Sequence, residues 1–274
     1  MDRKEQLIIV RGAGDIATGT IHRLWRCGYP VLALETGFPS AIRRQVAFSE
    51  AIYDGSSEVE GVVCLKASGY EEAMELMKEG VVPVMTDEDC AVLNKVRPWA
   101  LVDAILAKKN MGTTRDMADK TIGLGPGFTA GTDVDIVVET KRGHNLGRII
   151  GNGSAIPNTG VPGIIGGYGK ERVMHSPAKG IFLGKCRIGD KVEKDDTIAV
   201  VVTGHGEVPV KASLTGLVRG IIKDGYPVTE GLKIADIDPR ESEYANCFTI
   251  SDKARCIAGS VLEALLYLEM KQGY

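Results

Sequence analysis

One short motif occurs twice in this chain at a fixed step. Gly180-Ile181-Phe182 returns as Gly216-Leu217-Val218, Gly184 as Gly220, Gly189 as Gly225, Val192 as Val228, and Ile198-Ala199 as Ile234-Ala235. Every pair lies thirty-six residues apart. Two strands joined by a glycine turn cannot bury their apolar face alone, whereas two copies facing each other can. The repeat therefore predicts one small duplicated β module over residues 173–240. Its expected form is a flattened barrel-sandwich hybrid of the lipoyl/biotinyl type, of about eight short strands.

The N-terminal half follows a different rhythm. Leu7 to Val10 is an unbroken apolar run, the pattern of a strand buried on both faces. A glycine loop follows, then a helical stretch from about Asp15 to Cys27, with Ile16, Thr20 and Leu24 on one face and Gly28 as its stop. Val31 to Leu34 is the next strand. Further strand-like runs at Gly61–Leu65, Val81–Met85, Ala100–Val102, Thr121–Leu124 and Val134–Glu139, with a helix at Tyr70–Lys78, predict a Rossmann-like open parallel sheet over 1–142. Residues 143–172 are dense in Gly and Asn and read as a structured connection. Residues 241–274 read as a C-terminal helix, with Ser251 as N-cap and Ile257, Val261, Leu265 and Leu268 on the face that packs back on the α/β domain.

Composition narrows the function. The net charge is −3 and no basic block occurs, which argues against nucleic acid as a partner. No apolar run approaches the roughly 20 residues of a membrane span. The charged start, Met1 to Gln6, leads into a strand rather than a leader, so the expectation is a cytoplasmic protein. Cys27, Cys64, Cys90, Cys186, Cys247 and Cys256 form no C-x-x-C pair and no zinc spacing, and read as reduced thiols. No metal site is expected. Cys90 has acidic neighbours, which would raise its pKa.

The sharpest local motif is Gly12-Ala13-Gly14-Asp15-Ile16-Ala17, a G-x-G-x-x-A between a strand and a helix. Gly12 allows the tight turn, Gly14 lets backbone approach a pyrophosphate, and Ala17 lets helix and strand pack closely. The helix dipole favours an anion there by about 0.3–1 kcal/mol per charge. Glu35, twenty-one residues after Gly14, stands where an acidic side chain takes a ribose hydroxyl pair. Asp15 caps the helix but repels a phosphate. Arg43, beside Arg44 past the second strand, is a candidate phosphate clamp, set against plain surface charge. A second glycine loop carries Gly125, Gly127 and Thr129; Pro126 lacks an N–H, so this loop walls a crevice rather than opening a phosphate-binding helix. His144, flanked by Arg142 and Arg148, suits an anionic ligand, set against a loop histidine bonding backbone.

In lipoyl and biotinyl domains the modified lysine sits at the tip of the hairpin joining the half-motifs. Here that tip, Thr203 to Glu207, has no lysine. No covalent lipoate or biotin is expected.

Taken together, the chain resembles the YqeB family, accessory proteins of selenium-dependent molybdenum hydroxylase systems that are distantly similar to XdhC/CoxI maturation factors. The likeness spans nearly the whole length. It rests on Val10 to Ala17, Gln45 to Glu50, Gly123 to Gly131, Glu139 to His144 and Ile250 to Lys253. The resemblance implies a maturation factor for a xanthine-dehydrogenase-like enzyme that binds or delivers a molybdopterin-type cofactor, its phosphate over Gly12 and Gly14. It carries over no catalytic residue. Two other readings stay open: an NAD-dependent oxidoreductase, supported by Gly12, Gly14 and Glu35 but lacking a Tyr-x-x-x-Lys donor, and a non-catalytic nucleotide-binding or docking module. The bound species, a pterin or a dinucleotide, is left open, as is homo-oligomer formation.

Overall fold

The computed structural model describes residues 3–158, 160 and 163–272. The chain divides into two compact units, one from residues 1–39, 47–159 and 250–274, the other from 40–46 and 160–249.

The first unit contains β1 (Ile8–Arg11), α1 (Asp15–Arg26), β2 (Val31–Glu35), α2 (Glu50–Asp54), β3 (Ser56–Val59), β4 (Val62–Ala67), α3 (Tyr70–Lys78), β5 (Val82–Thr86), β6 (Ala100–Asp103), β7 (Thr121–Leu124), β8 (Thr129–Ala130), β9 (Ile136–Val138), β10 (Ile149–Ile150), β11 (Gly153–Ser154) and α4 (Asp252–Gln272). Among the described residues, nine strands form one sheet in the order β10-β9-β7-β6-β1-β2-β5-β4-β3, and β8 pairs with β11 apart from it. Ile8, Ile9 and Val10 in the central strand are fully buried, as an unbroken apolar run requires of a strand covered on both faces. At the end of α1, Gly28 is left-handed (φ +86°), the Gly28 N–H bonds the Trp25 carbonyl and the Tyr29 N–H the Leu24 carbonyl. That paired return is a Schellman stop. Along α4, Ala254, Ile257, Ala258, Val261 and Leu265 are buried, and the helix packs on α1 where Gly19 meets Ala254. A Cβ on Gly19 would lie 2.8 Å from that of Ala254, so this glycine sets the closeness of the two helices.

The sheet corrects the expected open parallel, Rossmann-like arrangement. Its seven inner strands are parallel, but β3 and β10 run antiparallel at the two edges. In a doubly wound Rossmann order the third parallel strand lies beside the second. Here β5 inserts between β2 and β4 instead. No described α-helix joins β6 to β7 or β7 to β9. Apolar runs mark buried strands but carry neither direction nor neighbour, so the sequence pattern could not separate these arrangements. One local signal was present. Glu60 and Gly61 form a two-residue turn with φ of +48° and +79°, the conformation that makes β3 and β4 a hairpin.

The second unit contains β12 (Val173–His175), β13 (Gly180–Gly184), β14 (Lys191–Val192), β15 (Thr197–Thr203), β16 (Gly206–Lys211), β17 (Gly216–Ile221), β18 (Pro227–Val228) and β19 (Lys233–Asp238). The repeat is visible in the pairing. β13 pairs with β15 and β17 with β19, while the middle strand of each copy crosses over, β14 to β17 and β18 to β13. A Cβ on Gly180 would collide with the Val202 carbonyl oxygen, and one on Gly216 with that of Asp238, positions related by the same step. Phe182, Ile198, Val201, Val218, Ile234 and Ile237 fill the core. The expected lipoyl/biotinyl-type barrel-sandwich is also corrected. The described strands form two separate four-stranded antiparallel sheets, β12-β19-β17-β14 and β16-β15-β13-β18. Internal symmetry shows that two halves complete each other; it does not name the class of module they build.

Candidate functional site

Parallel strands bring their carboxyl ends to one side of a sheet, and the loops that follow them build the ligand crevices of α/β proteins. In the first unit this side gathers the glycine loop after β1, Glu35 at the end of β2 and Asp103 at the end of β6.

The two glycines of the first loop differ in kind. Gly12 has φ +98°, its N–H bonds the Leu34 carbonyl at 2.7 Å, and a Cβ there would lie 3.0 Å from the Ala104 carbonyl oxygen. Backbone conformation and packing both explain it. Gly14, the N-cap of α1, has φ −66° and ψ −177°, which any residue adopts, and a Cβ there would meet nothing within 4 Å. Nothing internal requires a glycine at this position. Asp15 opens the helix and Ala17 is buried one turn in.

Glu35 is tied into the loop. One carboxylate oxygen accepts the Ala13 N–H and the other the Thr36 N–H, each at 2.8 Å. Burial raises its pKa, and the two N–H groups pull against that rise. The carboxylate thus serves the turn itself. The Ala13 carbonyl accepts the Ser49 N–H at 2.9 Å and the Thr18 hydroxyl at 3.1 Å. Ser49 is fully buried, and its Oγ has no partner among the described residues.

At the end of β1, the buried Arg11 guanidinium lies 3.4 Å from Asp103 and donates to Thr113 Oγ1 at 2.5 Å and to the Glu88 carbonyl at 3.1 Å. Asp103 also accepts from Thr113 Oγ1 at 2.6 Å and the Ile105 N–H at 3.1 Å. Burial still holds its carboxyl above the usual range. This is a closed internal network.

Lys253, in the first turn of α4, is the cation of the region that sequence reasoning did not single out. It is half-buried, and it makes no hydrogen bond or ion pair with a described residue. Burial lowers its pKa; the charges of Asp15 and Glu139 oppose this and Arg142 reinforces it. Its motif, Ile250 to Lys253, was legible, but no spacing rule connects it to a loop at the other end of the chain.

The remaining predicted residues fall elsewhere. Gly125 (φ +80°) is held by contact with Thr140, and Gly127 (φ +115°) by the Lys109 backbone, so packing accounts for both. Thr129 lies in β8, its Oγ1 3.1 Å from Ser154 Oγ. His144 is exposed in the turn after β9. Its neighbour Arg142 forms a two-point pair with Asp252, each contact 2.7 Å. Arg43 belongs to the second unit, where its buried guanidinium donates to the Asn246 and Thr249 carbonyls at 3.0 and 3.2 Å. Cys90 is pushed up to about 11, mainly by burial rather than by its acidic neighbours. No group of three His, Cys, Asp or Glu suited to a metal occurs among the described residues, and no described helix is long and apolar enough to cross a membrane.

The fold defines a two-unit protein in which the glycine loop, Glu35 and Asp103 gather at the carboxyl ends of a mostly parallel sheet. Over 268 residues the chain is 51% identical to "Uncharacterized protein YqeB" of Escherichia coli strain K12, a match to 98% of this chain and 48% of that protein. Over that stretch the chain belongs to the YqeB family, and it spans about half the length of this relative. No protein-family model matches it.

Solved structures with some likeness include the product-bound ectoine utilization protein EutE (DoeB) of Ruegeria pomeroyi, at TM-score 0.23 and 13% identity, covering 84% of this chain and 52% of that one. An aspartoacylase family protein of Mesorhizobium loti aligns at TM-score 0.27 and 11% identity, covering 86% of each chain. A succinylglutamate desuccinylase of Silicibacter aligns at 0.27 and 12%, covering 85% of each. Likenesses at this level carry no argument about the fold or the chemistry. None of these names, nor that of the relative, speaks of molybdenum, selenium or a lipoyl-type module. The expected molybdenum-cofactor, selenium and barrel-sandwich attributes thus find no support in what this chain is similar to.

Proposed function

We propose that the first unit binds a phosphate-bearing small molecule over the Gly12–Asp15 loop, and that the protein acts by holding this ligand. The observation that carries the reading is Gly14. Its conformation suits any residue and open space lies above it, so the missing side chain is explained by something that approaches from outside. Lys253 supplies the charge: a half-buried ammonium with no hydrogen-bond partner among the described residues, within the field of Asp15. The helix N-terminus adds its dipole, and Asp15 limits how much negative charge the loop accepts. Glu35, bonded to the Ala13 and Thr36 N–H groups, gives the oxidoreductase reading less support than its position in the sequence did.

Calorimetric titration with inorganic pyrophosphate tests the site. Binding that is lost in Gly14→Asp and weakened at least tenfold in Lys253→Ala is expected, since a charged hydrogen bond is worth about 1.5–3 kcal/mol. Equal affinity in all three proteins sinks the assignment.

The accessory role toward a molybdenum hydroxylase is a separate proposal about a partner. It rests on the family resemblance alone. Co-purification of the chain with such an enzyme at defined stoichiometry supports it; no retention at micromolar concentrations removes it.

A further inference from the structure

We infer that the seam between α1 and α4 holds a second anion site, built from Arg23, Arg26, Arg255 and His22, that takes the phosphoryl group of a small phosphorylated metabolite. It does not depend on the glycine-loop reading, since it uses none of the same side chains.

A cavity of about 320 Å³ opens there, lined by these four residues with Gly19 and Ile250. That is the small end of the range for ligand pockets and suits a phosphate bearing a short carbon skeleton. Three guanidinium groups converge on it from two helices. Arg23 and Arg26 lie in the last turn of α1, and Arg255 in the first turns of α4. Helix dipole alone explains a basic residue at the end of α1. It does not explain a third arginine brought to the same cavity from the start of another helix, where the dipole disfavours a cation.

The internal commitments of these groups are unequal. Arg255 is fixed by Glu60, whose two carboxylate oxygens lie 2.5 and 2.8 Å from one Nη, while Glu60 Oε1 also accepts the Ile250 N–H at 2.8 Å. Arg23 has a long contact, 3.5 Å, to the Arg255 carbonyl. Arg26 is exposed, with no hydrogen bond or ion pair to a described residue. One guanidinium is thus pre-positioned and two stay available for a ligand, the division expected where planar forks read phosphoryl oxygens.

His22 is the second observation. It is 6% exposed and lines the cavity, yet its Nε2 has no partner among the described residues. A buried polar atom left unpaired costs about 1–3 kcal/mol unless a ligand or water completes it. His22 also lies close to Glu60: burial, the larger effect, lowers the His22 pKa, and the Glu60 backbone and carboxylate act to raise it. Glu60 therefore fixes Arg255 and borders His22, from a left-handed turn position (φ +48°) that a non-glycine residue rarely takes. Glu60 is a positioning residue for this pocket.

The test is titration of the full chain with inorganic phosphate, followed by calorimetry and by the imidazole resonances of His22. Wild type and Lys253→Ala should both show a phosphate-dependent His22 shift. Arg26→Ala should weaken phosphate binding at this site about tenfold or more, and Arg26→Lys, which keeps charge but loses the fork, should fall between. Arg26 is exposed and makes no hydrogen bond or ion pair with a described residue, so its replacement leaves folding intact. A His22 signal that ignores phosphate, or binding unchanged in Arg26→Ala and Arg23→Ala, overturns the inference. Loss of all phosphate binding in Lys253→Ala alone overturns it as well and leaves the glycine-loop site standing.

Discussion

The two units place their buried charges differently. In the second, charges are paired inside the fold: Arg172 meets Asp236 at 2.8 Å with both side chains buried, and Asp238 takes two contacts from Arg240. In the first, the Arg11–Asp103 network is closed in the same manner, but Lys253 and Ser49 Oγ near the glycine loop, and His22 Nε2 at the helix seam, have no hydrogen-bond partner among the described residues. Satisfied groups specify a structure, and unsatisfied ones mark where something else is to be bound. Arg172 Nε in the second unit is also without a hydrogen-bond partner among the described residues, so the contrast is one of place: the Arg172–Asp236 pair serves the framework, whereas the unpartnered groups of the first unit named here lie by the glycine loop and the helix seam.

Breaking the framework should have the largest effect. Asp236→Ala leaves Arg172 buried without its counter-charge, and removing one partner of a buried pair costs about 3–5 kcal/mol. Denaturant unfolding should show that loss, with pyrophosphate binding retained wherever the protein stays folded. A cost under about 1 kcal/mol would place the pair with solvent-exposed bridges and erase the contrast.

The glycine loop sharpens the comparison at smaller scale. Gly12→Ala forces a side chain into a left-handed position against the Ala104 carbonyl and should cost about 1–3 kcal/mol. Gly14→Ala should cost nothing beyond a few tenths of a kcal/mol, or even stabilise, because neither its φ nor its surroundings object. Its effect belongs in ligand affinity. If Gly14→Ala destabilises as much as Gly12→Ala, glycine at 14 is structural and the proposed site loses its main support.

These residues also show what the sequence could reveal. The β1–α1–β2 segment was legible because apolar run, glycine loop, periodic helix and C-terminal glycine all state the same local geometry. The thirty-six-residue repeat was legible because it is a pattern in one dimension. Strand order was not. The insertion of β5 between β2 and β4 is decided by contacts far apart along the chain, and only Glu60-Gly61 announced an antiparallel edge. The site split along the same line. Gly12 and Gly14 declared themselves through a motif. Lys253, His22 and Arg255 acquire meaning only once α4 lies on α1. Arg43 looked like a clamp because sequence distance from β2 suggested a shared crevice, whereas residues 40–46 join the other unit.

Lys253→Met should leave stability unchanged or slightly raised, since an unpaired half-buried ammonium is replaced by an apolar chain of similar length. The wild-type lysine also sets a pH signature. Its folded pKa lies below the ordinary 10.5, so the folded state binds fewer protons than the unfolded one between those two values. Stability attributable to this group rises with pH across that window. Anion binding goes the other way, because the charged form holds the ligand. Pyrophosphate affinity should therefore decline at a pH where ordinary lysines are still protonated, and Lys253→Met should abolish that decline. A decline that persists in the variant assigns it to another group.

The smallest effect concerns Glu35, which separates the loop's internal needs from those of its ligand. Its folded pKa lies above the ordinary 4.5 because it is buried. Between 4.5 and the raised value the folded state binds more protons than the unfolded one, so this group's contribution to stability increases as pH falls through that window. Glu35→Gln is neutral throughout and lacks the slope. Wild type should gain on Glu35→Gln as pH drops from 7 toward 4.5 in paired urea titrations, even though both oxygens accept backbone N–H groups that favour the charged form. A difference between the proteins that stays flat with pH would mean that the two N–H bonds fully offset burial. Glu35 would then stay charged over the glycine loop, where it would repel the phosphate that Lys253 is placed to attract.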